Sequence, residues 1–158
     1  DLMSLDPENT IVMETTKGKV VIKLRPDLAP GHVERIKLLA REGFYDGIVF
    51  HRVIDGFMAQ VGCPHGTGTG GSSYPDLKQE FNAEPHVRGI CSMARAQNPN
   101  SANSQFFICF DDAAFLNRQY TVWGQVIEGM DNVDKIKRGE PVVDPDKIVS
   151  LKVAADVK

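Results

Sequence analysis

Residues 50 to 60 read Phe50-His51-Arg52-Val53-Ile54-Asp55-Gly56-Phe57-Met58-Ala59-Gln60 and concentrate the side chains most suited to chemistry. In an extended chain alternate side chains share a face, so Phe50, Arg52 and Ile54 fall together while His51 and Val53 oppose them. Met58 and Gln60 share a face of the next strand by the same rule. If the two strands are neighbours, Arg52 and Gln60 reach one surface beside Met58 and Phe57. A second run, Ser104-Gln105-Phe106-Phe107-Ile108-Cys109-Phe110, groups Gln105 with Phe107 and Cys109. One arginine among apolar rings, oriented by side-chain amides, suits an uncharged ligand that carries carbonyl or amide groups. The competing reading is an edge arginine lying over core hydrophobes, and spacing alone leaves both open.

Other reactive residue types offer less. Parity turns His51 away from Arg52 and inward, where a hydrogen-bonded structural histidine is expected. Cys63, Cys91 and Cys109 form no CxxC pair, and Cys91 and Cys109, set in apolar runs, read as small buried hydrophobes. A cysteine nucleophile would need a base and an orienting third group, and no such signature is present. Cys63-Pro64-His65 lacks evident third and fourth ligands, so no metal is expected. Gly66-Thr67-Gly68-Thr69-Gly70-Gly71 resembles a phosphate cradle, but Ser72-Ser73-Tyr74-Pro75 follows it in place of a lysine and a helix. It reads as a tight loop whose exposed backbone can also bond an extended peptide. The small-residue edge Met93-Ala94-Arg95-Ala96 offers the same kind of backbone pairing.

The elements that must carry these residues are mostly strands. Residues 10–15 and 20–24 alternate around a turn at Thr16-Lys17-Gly18-Lys19. A 3–4 spacing of Val33, Ile36, Leu39 and Ala40 predicts a helix with Pro30 in its first turn and Gly43 at its end. Further apolar runs cover 48–53, 57–61, 90–93, 106–110, 122–127 and 148–154, and a second helix is expected over 130–138. The helices do not alternate with the strands, which argues against a parallel doubly wound sheet. A mainly β fold follows: an eight-stranded antiparallel barrel capped by two α-helices. Two long loops, 63–86 and 95–103, are the places where a compact scaffold most often puts function.

Composition sets the outer bounds. With 158 residues, 42% of them apolar and 25% charged, the chain is expected to form one domain, residues 1–158 with a core over about 10–154. Eighteen basic against 21 acidic residues give a net charge of −3. The basic residues are scattered, so nucleic acid is not an expected partner. No apolar run approaches the ~18 residues of a membrane span, and no leader pattern opens the chain at Asp1.

Taken in order, these motifs resemble the cyclophilins, peptidyl-prolyl cis–trans isomerases built on an eight-stranded barrel with two capping helices. The resemblance runs from Thr10 to Val153. Its cores are Phe50-His51-Arg52, Gly56-Phe57-Met58-Ala59-Gln60, Gly68-Thr69-Gly70-Gly71, Ser92-Met93-Ala94 and Asn103-Ser104-Gln105-Phe106-Phe107-Ile108. It implies isomerisation of prolyl bonds in flexible or unfolded protein chains, with no cofactor. It implies that Arg52 is catalytic, that Gln60 orients it, and that Phe57, Met58, Phe107 and Leu116 form the proline pocket. Ala94, Arg95 and Gln105 would line the peptide groove, with Gly68 at its edge.

Three positions depart from the family pattern. Arg95 stands where many members carry asparagine, which keeps the backbone that holds peptide and adds charge at the rim. Phe115 and Tyr120 replace a tryptophan and a histidine of the cyclosporin-sensitive eukaryotic members, as in the bacterial branch. Phe115 has no indole N–H to donate, so weak cyclosporin binding with catalysis retained is expected. A cytoplasmic monomer is the remaining expectation, although bacterial relatives also occur in the periplasm.

Overall fold

The computed structural model describes residues 6–157. Among the described residues there are eight strands: β1 (Thr10–Thr15), β2 (Gly18–Leu24), β3 (Arg52–Ile54), β4 (Met58–Val61), β5 (Ile90–Met93), β6 (Phe106–Cys109), β7 (Val122–Glu128) and β8 (Ile148–Val153). Two α-helices, α1 (Pro30–Arg41) and α2 (Met130–Asp134), accompany them. The hydrogen-bonded order is β3-β4-β6-β5-β7-β2-β1-β8, antiparallel at every pairing.

The expected strand over 48–53 is realised only from Arg52 onward. The preceding backbone pairs instead with the start of β8: Gly47 N–H donates to Ile148 O at 2.7 Å, Ile148 N–H to Ile48 O at 2.9 Å, and Phe50 N–H to Asp146 O at 2.8 Å. These bonds join the two ends of the ladder and close the barrel. The chain before β3 is therefore committed to closure, which removes it from the ladder that parity assumed.

Inside the barrel lie Ile11, Met13, Ile22, Phe50, Phe106 and Trp123, all fully buried. Trp123 meets Phe106 edge-on at 5.3 Å, and Tyr45 meets Phe106 similarly at 5.5 Å. The period of two then divides β6 cleanly. Phe106 and Ile108 enter this core, while Phe107 and Cys109 join a second apolar cluster with Met58, Leu116 and Val122 on the outer face. That second cluster is the floor of the candidate site.

Helix α1 lays Val33, Ile36, Leu39 and Ala40 on the core, as its spacing predicts, with Pro30 in its first turn. It also buries His32 and Arg35, which hold the long loops. Arg35 donates to Pro75 O at 2.6 Å and to Asn103 O at 3.2 Å. Asn103 in turn accepts from Ser72 N–H and Oγ–H and donates to Tyr74 O, zipping the two loops together. Helix α2 ends at Asp134, four residues before the expected Arg138. Arg138 folds back to donate to the carbonyls of Asp134 and Ile136, and Lys137 N–H donates to Asp146, so the last turn is replaced by side-chain contacts. The stripe of Val133, Ile136 and partly buried Met130 still packs on the core.

Candidate active site

β3 and β4 pair so that Arg52 lies directly opposite Gln60, and β4 pairs with β6 so that Gln60 lies opposite Phe107. Three neighbouring strands thus put a cation, an amide and an aromatic ring in one row. Arg52 Nη1 donates to Gln60 Oε1 at 3.3 Å, and Gln60 Nε2 donates to Gln105 Oε1 at 3.0 Å. Gln105 Nε2 then donates to Gly68 O at 3.0 Å and Gly70 O at 2.9 Å. Each amide is oriented by its next partner, so the chain of donors runs one way, from the guanidinium to the glycine loop.

The close approach behind this relay depends on Gly62. A Cβ there would stand 2.5 Å from Ser104 O, and the backbone is left-handed with φ of +105°. Only glycine lets the exit of β4 run against the residue that precedes Gln105.

Arg52, Gln60, Phe57, Met58, Phe107 and Leu116 line one pocket of about 280 Å³, together with Gly68, Ala94, Arg95 and Tyr120. Its floor is apolar and its rim carries the guanidinium. Gln105 lines an adjoining polar pocket of about 400 Å³ that shares Gln60, Gly68, Ala94 and Arg95 with the first. Phe115 stands apart from both linings. It is 67% exposed, with its ring 5.5 Å from that of Phe57.

Tyr120 meets Phe107 edge-on at 5.8 Å and is covered from the other side by Arg95, whose guanidinium lies 4.6 Å over the ring. Arg95 donates to the carbonyls of Gln119, Ala96 and Gln97. Its charge is therefore tied down on backbone oxygens and a π-face and braces one loop against another.

His51 corrects its expectation. It is buried, but it lines the same pocket as Arg52, and its Nδ1 has no hydrogen-bond partner among the described residues. Parity failed here because residue 51 precedes the ladder. Burial, with Arg52 beside it, holds the imidazole below the usual histidine range, so it is neutral at pH 7. His86, which no motif singled out, backs Phe107 in a stacked arrangement at 6.2 Å and bonds Ser92 Oγ and Asn117 Oδ1.

Cys91 and Cys109 follow their expectation, and Cys63, for which the sequence set no burial expectation, is buried as well. Cys91 and Cys109 are fully buried, and burial pushes the Cys109 thiol up to about 12. Burial also pushes Cys63 up, but backbone N–H groups of the glycine loop, Gly70 first, outweigh it and bring the thiol to about 6. Gly70 N–H donates to Cys63 Sγ at 3.3 Å. Cys63 is thus an anchor for the loop whose carbonyls hold Gln105. Among the described residues no cluster of His, Cys, Asp and Glu side chains has a metal-holding arrangement.

A second acceptor reaches Arg52 from far along the chain: Glu140 Oε2 accepts from Arg52 Nε at 2.8 Å. Nothing in the local sequence of either residue signals a contact across 88 positions.

Comparison with known proteins gives one family. The chain is 57% identical, over 97% of its length and 86% of the relative's, to a "Probable peptidyl-prolyl cis-trans isomerase" of Brucella suis. It is 45% identical to "Peptidyl-prolyl cis-trans isomerase B" of Bacillus subtilis over 78% of this chain and 86% of that one. Among solved structures, the cyclophilin AquaCyp293 of Hirschia baltica superposes with a TM-score of 0.91 at 33% identity, covering 98% of this chain and 77% of that one. A Cryptosporidium parvum cyclophilin type peptidyl-prolyl cis-trans isomerase, crystallised in the presence of the dipeptide Ala-Pro, gives 0.85 at 28% identity over 91% and 98%. The family model for cyclophilin type peptidyl-prolyl cis-trans isomerases matches residues 10–153, the stretch that carries the barrel, the Arg52–Gln60 pair and the apolar pocket, and the chain belongs to that family.

Proposed function

We infer that this protein isomerises peptidyl-prolyl bonds in proline-containing peptides and in flexible or unfolded protein chains, assisting their folding. The observation that carries this reading is a guanidinium, held by Gln60, at the rim of an apolar pocket formed by Phe57, Met58, Phe107 and Leu116.

The prolyl amide is planar because its nitrogen lone pair is delocalised, and crossing between cis and trans meets a barrier of about 20 kcal/mol. Arg52 donates a hydrogen bond to the prolyl nitrogen as it pyramidalises, drawing the lone pair out of resonance. That bond strengthens as planarity is lost, so it stabilises the twisted state over either planar one. The pocket grips the pyrrolidine ring while the chain is held along Ala94 and Arg95. No hydrogen bond engages the Arg95 backbone among the described residues, which leaves it open to an extended peptide. Gln105 and Gly68 border the groove, Tyr120 walls the pocket, and Phe115 extends its rim.

The energetic demand is modest. Uncatalysed exchange takes about 10–100 s and enzymes commonly turn over at ~1–10³ s⁻¹. The gap of roughly 10³–10⁵ corresponds to about 4–7 kcal/mol, within reach of one aimed cation, a pocket and orientation, with no nucleophile or cofactor required.

The same reading takes residues 1–158 as one catalytic domain acting as a monomer, since the closed barrel needs no second copy to complete it. Weak cyclosporin binding belongs to it too. No helix among the described residues is long and apolar enough to cross a membrane. We place the protein in the cytoplasm, a reducing setting that suits three free cysteines.

Exchange spectroscopy on a proline-containing peptide, with catalytic amounts of wild type and of R52A, tests the function. Rapid exchange in wild type and a loss of about 10²–10³-fold in folded R52A is the expected result, the scale of removing one transition-state donor. Saturable peptide binding with no acceleration by wild type would reassign the groove to peptide capture alone.

A further inference from the structure

Arg52 sits on β3, the end strand of the ladder, and the chain beyond α2 returns to pair with that strand. Val53 N–H donates to Gly139 O and Gly139 N–H donates to Val53 O, both at 2.8 Å, and Val142 N–H donates to His51 O at 3.1 Å. The turn between these bonds is tight. A Cβ on Gly139 would stand 2.7 Å from Val142 Cα and 2.8 Å from Pro141 O. With residue 139 registered on residue 53, residue 140 comes alongside residue 52, and Glu140 Oε2 meets Arg52 Nε at 2.8 Å.

The guanidinium is then gripped at two of its three nitrogens: Nε by Glu140 and Nη1 by Gln60. Nη2 has no protein acceptor among the described residues, so both of its N–H groups, with the second N–H of Nη1, are left for a ligand. A long arginine side chain that is free at its tip samples many rotamers. Fixing two edges of a rigid planar fork fixes the direction of the third. A carboxylate beside the cation also subtracts from its pull on the prolyl nitrogen. Both side chains are substantially exposed, 40% and 58%, so water screens that subtraction and orientation is the larger effect.

We propose that Glu140 is a positioning residue for the isomerase reaction, holding Arg52 through Nε so that Nη2 is aimed at the prolyl amide. This role rests on the isomerase reading. E140A, E140Q and wild type are compared by steady-state exchange kinetics and by the ¹H–¹⁵N signal of the Arg52 Nε–H, assigned by its absence in R52A. E140A is expected to lower kcat about two- to five-fold with KM unchanged, the scale of one exposed charged contact. Its Nε–H signal should broaden through exchange with water. E140Q keeps an acceptor oxygen and should recover both the signal and kcat to within about two-fold of wild type.

An active wild type matched by E140A in kcat, a loss confined to KM, or an Nε–H signal indifferent to E140A would each overturn the role. So would an E140Q variant as impaired as E140A. A wild type that binds peptide without accelerating exchange, its Nε–H signal intact, would remove the isomerase reading and this role together, and is distinguishable from the other outcomes.

Discussion

On the proposed reading, the side chain at position 115 limits cyclosporin binding through one missing donor. Its ring is exposed and rests against Phe57 at the rim of the pocket. It offers area but no donor, where the cyclosporin-sensitive relatives would offer an indole N–H. F115W is therefore expected to tighten cyclosporin by roughly two- to ten-fold, the worth of one net hydrogen bond, while peptide exchange stays near wild type. Calorimetric titration of both proteins checks this, and equal affinities would show that the missing donor is not what weakens binding. At this scale the sequence was legible wherever a residue lay inside a regular ladder. Arg52, Gln60 and Phe107 came together because alternation and adjacency hold in β3, β4 and β6. His51 lies one residue before the ladder and escaped the rule. Glu140 was invisible because its contact, across 88 positions, is set by the backbone pairing of Val53 with Gly139 and not by local sequence.

Helix α1 was legible in its stripe and its proline, but its N-terminal cap was not. Ala29 has no side chain able to cap. The orphaned N–H groups of Gly31 and His32 instead donate to the carboxylate of Glu80, at 3.0 and 2.8 Å, from the middle of the first long loop. The same carboxylate takes a 2.6 Å hydrogen bond from His32 Nδ1. Glu80 thus caps the helix, suits its positive dipole end and pins the loop. E80A should lower stability by about 1–2 kcal/mol, as for other lost caps, and urea denaturation measures it. An unchanged midpoint would mean that water replaces the cap without loss. Loop-to-helix capping leaves no local sequence signature, which is why the strands and helices could be placed from periodicity while the contacts that lock 63–86 and 95–103 could not.

For the whole molecule, three buried imidazoles set the response to acid. Burial holds His32, His51 and His86 below the usual histidine range, against the hydrogen bond of Glu80 in the first case and of Asn117 in the last. The unfolded chain takes up protons at these sites near pH 6.5, so below that value it binds more protons than the native state. The stabilisation that these imidazoles contribute is therefore full above about pH 6.5 and falls as pH drops through it. Glu80 adds to the loss at lower pH. Burial raises its carboxyl, but the His32 ring and the backbone N–H groups of Gly31 and His32 outweigh that and hold it below the usual carboxylate range. Its stabilisation is thus present above the unfolded value and lost as pH falls toward the folded one. The Cys63 thiol, held at about 6, adds a decline of the same sign between its ordinary range and that value. Denaturation midpoints that fall as pH drops from about 8 and continue to fall below about 6.5 are therefore the expected profile, and a rise on acidification would contradict it. At this scale the mainly β architecture could be read from counts of runs, whereas closure through residues 47–50 and 146–148 could not, because those bonds join the ends of the ladder without forming a strand. The barrel's interior has one more consequence. The chain has a single tryptophan, and it is sealed edge-on against Phe106 with no route to solvent. Its fluorescence is consequently a gauge of barrel integrity that stays separate from occupancy of the groove, so unfolding can be followed optically without interference from a bound peptide.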